Sequence, residues 1–181
     1  QDAMALLGLL RVCGVEPSPA GDGLTIAPRV PRERFVLDLP VVREREAEAA
    51  AELAGRRFLL VMPAGAEPPA LASALRQSGA DVRAVATVNE AAALAGAAAA
   101  AALPYDAVLL DRRAADDAGA ALLRLREAAG GTIAAAVMIE PGGRGEIEAL
   151  RRAGFAAYLV RPVRRSSLIR VAAGIAAPGD G

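Results

Sequence analysis

Tyr105-Asp-Ala-Val-Leu-Leu-Asp111 and Tyr158-Leu-Val-Arg-Pro162 are the two stretches whose reading decides the fold. Each is a short apolar run closed by a charged residue. In an open parallel sheet the residues that end such strands lie at the carboxyl edge, where ligands and reacting groups gather. This reading puts Asp111 and Arg161 at one rim of one sheet.

Outward from these strands the chain alternates between two patterns. Strands are predicted at Phe58 to Met62, Val82 to Ala86, Ala107 to Leu110, Ile133 to Ile139 and Ala156 to Val160. Helices are predicted over about Pro68 to Ser78, Asn89 to Ala102, Ala115 to Ala129, Glu146 to Ala153 and Arg165 to Ala173, with Thr87 or Asn89 as N-cap of the second. Glycines at 79, 130–131 and 154 stop three of them. The strands are near-continuous apolar runs, as expected when helices cover both faces. With right-handed crossovers the expected fold is α/β, a doubly wound five-stranded parallel sheet. The alanine tract 91–102 reads as a helix packed closely on that sheet.

Composition sets the limits. The chain has 181 residues, 54% of them hydrophobic but only 3% aromatic, so its core is built from Ala, Leu, Val and Ile. Charges balance at 21 against 21, which argues against bulk electrostatic binding to nucleic acid or an anionic membrane. All basic residues are Arg, and with the wealth of Ala this points to the coding bias of a GC-rich genome. The single cysteine, Cys13, excludes an intramolecular disulfide and fits a reducing compartment and a small core residue; a cytoplasmic location is expected. No convincing membrane span is present, the alanine tract being too weakly apolar. The opening at Gln1, with neither Met nor a basic leader, gives the expectation of a piece excised from a longer chain.

Before Arg57 the pattern is less regular. Residues 1–13 read as a helix and 15–23 as a loop rich in Pro and Gly. A small β-hairpin is expected from Leu24 to Ile26 and Phe35 to Leu39, with its turn at Pro28 to Arg34. Residues 42–54 are strong helix formers with many charges and read as an exposed linker helix ended by Gly55. The expected organisation is an amino-terminal segment 1–41, a linker helix 42–55, the α/β domain 56–176 and a disordered tail 177–181.

Residues 57–176 resemble a receiver domain, the phospho-acceptor module of two-component signalling, with its flavodoxin-like fold. The resemblance rests on element order and on two passages, Asp106-Ala-Val-Leu-Leu-Asp111 and Ala153-Gly-Phe-Ala-Ala-Tyr-Leu-Val-Arg-Pro-Val163. It implies Asp111 as the phospho-acceptor position and Arg161 as the phosphate-binding position, where the family has Lys. It also implies Tyr158 as the switching aromatic on the last strand, and a cis bond before Pro162. The family places two Mg²⁺-binding acids after its first strand, where this chain has Met62-Pro63. It places a Ser or Thr after its fourth, where this chain has Ile139, with Glu140 next. Mg²⁺ wants hard oxygen ligands, and phosphoryl transfer is mostly positioning and charge neutralisation. The expectation is therefore a degenerate receiver with no cofactor, Asp111 and Arg161 forming a fixed ion pair. Its working surface is expected on the helix-four, strand-five and helix-five face, made basic by Arg151, Arg152, Arg164, Arg165 and Arg170. Expected partners are kinase, histidine-phosphotransfer or receiver domains of one pathway.

Residues 1–40 resemble, weakly, the end of a histidine-kinase ATP-binding domain, so the parent chain is expected to be a hybrid histidine kinase, while this stretch lacks the ATP-lid glycines and is not expected to be catalytic. Two alternatives stand beside this. One is a working phospho-acceptor that uses Mg²⁺ and Asp111. The other is a flavodoxin-like small-molecule-binding domain with its site between Pro63-Ala-Gly-Ala66 and Glu140-Pro-Gly-Gly143.

Overall fold

The computed structural model describes residues 18–20, 23–25 and 47–177. The chain divides into two compact units, Gln1–Leu39 and Pro40–Gly181. In the first unit, β1 (Ser18–Ala20) pairs antiparallel with β2 (Gly23–Thr25). This corrects the expected hairpin. The run from Leu24 pairs backwards onto Ser18–Ala20, residues read as loop, with Pro19 opposite Leu24 and Ala20 opposite Gly23. The helix expected at 1–13, with Cys13, the strand at 35–39 and most of the tail lie outside the described residues.

The second unit is a five-stranded, all-parallel sheet. Its strands are β3 (Arg57–Val61), β4 (Asp81–Val85), β5 (Ala107–Asp111), β6 (Ala134–Ile139) and β7 (Ala157–Val160), in the order β4-β3-β5-β6-β7. They alternate with α1 (Glu67–Arg76), α2 (Val88–Ala100), α3 (Ala118–Ala129), α4 (Ile147–Arg152) and α5 (Arg165–Ala176). The reversal of strand order falls between β3 and β5, which makes the carboxyl ends of these strands the crevice of the fold.

Strand alternation divides the core in two. Phe58, Leu60, Val82, Leu109, Met138 and Leu159 face α1 and α5, while Leu59, Val61, Val108, Leu110, Val137 and Ile139 face α2, α3 and α4. Asp111 follows the parity of Leu109, so it belongs to the α1/α5 side of the rim. Ile139 belongs to the other side.

Local chemistry sets the helix ends. Thr87 caps α2 and forms a capping box with Glu90: Glu90 N donates to Thr87 Oγ1 at 3.2 Å and Thr87 N to Glu90 Oε2 at 3.2 Å. Asp117 caps α3 through the amides of Gly119 and Ala120, so this helix begins three residues later than its sequence predicts. The residues between form a 3₁₀ turn, Arg112–Ala114.

The expected exposed linker helix is also corrected. Residues 47–52 are helical, but Leu53 is 0% exposed and Ala49 and Ala50 pack on the α1/α5 core. The turn after the helix is bonded to the turn between α1 and β4, Gly55 N to Gly79 O at 3.0 Å, and Arg57 N at the start of β3 donates to Asp106 Oδ2 at 2.7 Å. Gly79, at φ +87, lets the backbone of Ala54 approach so closely that a Cβ there would meet its Cα at 3.1 Å.

Candidate functional site

Four chain segments converge at the carboxyl rim: the start of α1, the end of β5, the residue after β6 and the end of β7. Asp111 lies at the centre with its side chain 1% exposed. A buried carboxylate must be paired and hydrogen-bonded, and both conditions are met. Its Oδ1 accepts from the Arg113 amide at 2.9 Å, which starts the 3₁₀ turn. That turn swings the Arg113 side chain back, so Nη2 lies 3.0 Å from Asp111 Oδ2. The guanidinium of Arg161, 9% exposed, donates from Nη2 to Asp111 Oδ2 and from Nη1 to Glu67 Oε2.

Glu67 was not among the expected site residues. The segment Met62–Ala66 turns back so that Glu67, the first residue of α1, points at Arg161. Glu140, expected next to Ile139 after the fourth strand, lies across the two cations, 3.8 Å from Arg161 Nε and 3.9 Å from Arg113 Nε. Arg161 Nε is buried without a hydrogen-bond partner. The guanidinium of Arg113 is held above its ordinary value by its hydrogen bond to Asp111, with the charges of Asp111, Glu140 and Glu67 adding to the effect against a small cost of burial. Arg113 was missed because only the turn after β5 brings it back to Asp111.

The remaining predicted positions fall as follows. Met62 is buried in the α1/α5 core and Ile139 in the core on the opposite face, each 1% exposed. The Arg161–Pro162 bond is cis, and Pro162 is exposed. Tyr158 is 44% exposed and, with Arg151, borders a cavity of about 230 Å³ under α4 that is lined chiefly by Val137, Ile147, Leu150 and Phe155. Arg164 is exposed at the start of α5 and does not border this cavity. Arg165 leaves the expected basic face altogether: its Nη1 donates to Gln77 Oε1 at 2.6 Å, at the end of α1.

No family model matches the chain, and no curated relative matches it. Solved structures do. The chain is similar to the receiver domain of a sensor histidine kinase of Pseudomonas aeruginosa, a structure with magnesium coordinated in its active-site cleft, at 25% identity and a TM-score of 0.56, over 69% of this chain and 100% of that one. It is similar to a candidate response regulator of Chloroflexus aurantiacus at 24% identity and a TM-score of 0.58, over 68% and 99%. A two-component response regulator of Clostridium difficile shares the fold at 16% identity and a TM-score of 0.58, over 70% and 99%. The α/β domain of this chain thus has the response-regulator receiver fold, and its structural neighbours are receiver domains.

The residues at the rim do not fit a divalent cation such as the magnesium of the Pseudomonas aeruginosa structure. Met62 offers a buried thioether and Pro63 no side-chain donor at all, where a hard cation needs oxygen. The oxygens of Asp111 and Glu67 that face the crevice already hold guanidinium nitrogens. Among the described residues, no group of three or more His, Cys, Asp or Glu side chains is gathered to hold a metal ion.

Proposed function

We propose that this receiver domain is a two-component signalling module that works through protein contacts, with little or no phosphorylation at Asp111. One observation carries the reading: the acceptor carboxylate is held by two arginines of its own chain. An attacking carboxylate must be free on the side from which the phosphorus approaches, and the developing charge must be met by cations that are not already neutralised. Here Arg161 is shared between Asp111 and Glu67, and Ile139 offers no hydroxyl to the phosphoryl oxygens.

The partners we propose are kinase, histidine-phosphotransfer or receiver domains of the same pathway, met on the face formed by α4, β7 and α5. Tyr158, Arg151 and Arg164 are among its exposed side chains. The balanced charge of the chain supports a protein partner over nucleic acid. No helix among the described residues is long and apolar enough to cross a membrane, and the lone cysteine supports a reducing, cytoplasmic setting. The domain itself is not an enzyme in this reading, and a hybrid histidine kinase is the proposed parent.

The test is exposure of the full chain to acetyl phosphate with Mg²⁺, followed by intact-mass measurement. The expected result is an unchanged mass. Gain of one phosphoryl group, abolished by Asp111→Asn, establishes the opposite reading of a working phospho-acceptor.

A further inference from the structure

The two arginines that follow Asp111 reach both ends of one segment. Residues 140–146 connect β6 to α4 and contain three glycines, and residues 141–146 form a 3₁₀ stretch. Its first residue, Glu140, lies 3.9 Å from Arg113 Nε and 3.8 Å from Arg161 Nε. Its last residue, Glu146, lies 3.3 Å from Arg112 Nε. Arg112 is itself fixed, with Nη1 donating to Ala115 O at 2.6 Å. Glu146 leads directly into Ile147, Leu150 and Arg151 of α4, which roof the apolar cavity beside Phe155 and Tyr158.

We propose that Arg112, Arg113 and Arg161 act as an ionic clasp on the β6–α4 segment. They set the position of α4 over the cavity and leave it adjustable by anything that competes for these charges. A glycine-rich connection has many conformations to lose and little packing to hold it. Contacts at its two ends therefore decide where the helix after it rests. Glu140 and Glu146 are each more than half exposed, so both contacts are open to ionic strength and to a partner's charges. The clasp rests on the reading that the rim is filled by the chain's own cations, and it names how that rim is coupled to the α4 face.

Hydrogen exchange on the full chain, without any phosphoryl donor, tests it. In a Glu140→Gln/Glu146→Gln variant, which removes the contacts to Arg112, Arg113 and Arg161, exchange over residues 140–152 rises roughly two- to tenfold, as expected for losing a few weak ion pairs, while β3 and β5 keep their protection. High salt gives the same local rise in the parent and a smaller one in the variant. The chain has no Trp and two Tyr, so in a Tyr105→Phe background the fluorescence of Tyr158 reports the mouth of the cavity, and its quenching by iodide increases in the double variant. Unchanged exchange at 140–152 overturns the clasp. So does a uniform rise across the sheet, which makes the two glutamates contributors to general stability only. Neither result depends on whether acetyl phosphate adds mass, so failure of the clasp and failure of the proposed function are read separately.

Discussion

Arg161 carries one positive charge and hydrogen-bonds two carboxylates, one of them almost sealed from water. Its planar fork allows one nitrogen for each, which a compact ammonium cannot match. Arg161→Met leaves Asp111 buried with Arg113 alone, and removing one partner of a buried pair costs about 3–5 kcal/mol. With Arg113 still present the loss belongs at the lower end, about 3 kcal/mol, read as a lower urea midpoint at unchanged slope. Arg161→Lys restores part of it, because the charge stays but only one carboxylate is served. If both variants unfold at the parent's midpoint, the ion pair does not hold the rim. The charged residues that end β5 and β7 were legible as rim residues from their place after apolar runs. Glu67 and Arg113 were not, because a five-residue turn and a 3₁₀ turn brought them back, and neither turn has a spacing that the sequence reveals.

At the scale of elements, the best-read features are those with strong local signals. The five strands lie within a residue or so of their apolar runs, and the glycine stops at 79, 130 and 154 all carry positive φ. Gly154, at φ +101, ends the turn after α4. Arg126 of α3 crosses to it, with Nη2 donating to Gly154 O at 2.9 Å and Nε to Ile133 O at 3.4 Å. A Cβ on Gly154 would lie 2.5 Å from Arg126 Nη1. Gly154→Ala therefore strains the backbone by about 1–2 kcal/mol and displaces Arg126 as well. The expected outcome is a lower thermal midpoint than Arg126→Ala alone produces; equal midpoints remove the backbone contribution. The start of α3 was read three residues early because Asp117 captures the amides of Gly119 and Ala120 and so sets the first turn at Ala118.

At the scale of the whole molecule, the boundary between linker and domain moves. Residues 42–54 looked like a charged surface helix, and their periodicity hid one buried position. Leu53 is fully buried and belongs to the α1/α5 core cluster, so the helix at 47–52 belongs to the core of the second unit. Leu53→Ala is expected to cost about 2–5 kcal/mol, as for other large-to-small changes in a core, measured by urea unfolding. A change within about 0.5 kcal/mol, the range of ordinary surface substitutions, would return this helix to the role of a linker. The fold itself was legible because a parallel sheet buried on both sides writes its strands as unbroken apolar runs. The amino-terminal unit was read less well, since three-residue strands leave too short a pattern to register.

The filled rim also affects what can reach it. Among the described side chains, Asp111, Glu67 and Glu140 set three negative charges against the two positive charges of Arg161 and Arg113, an excess of one negative charge in this group. Phosphoryl donors are anions, and a field of their own sign lowers the rate at which they arrive, before any bond is made or broken. A cationic side chain on an approaching partner is drawn towards the same place.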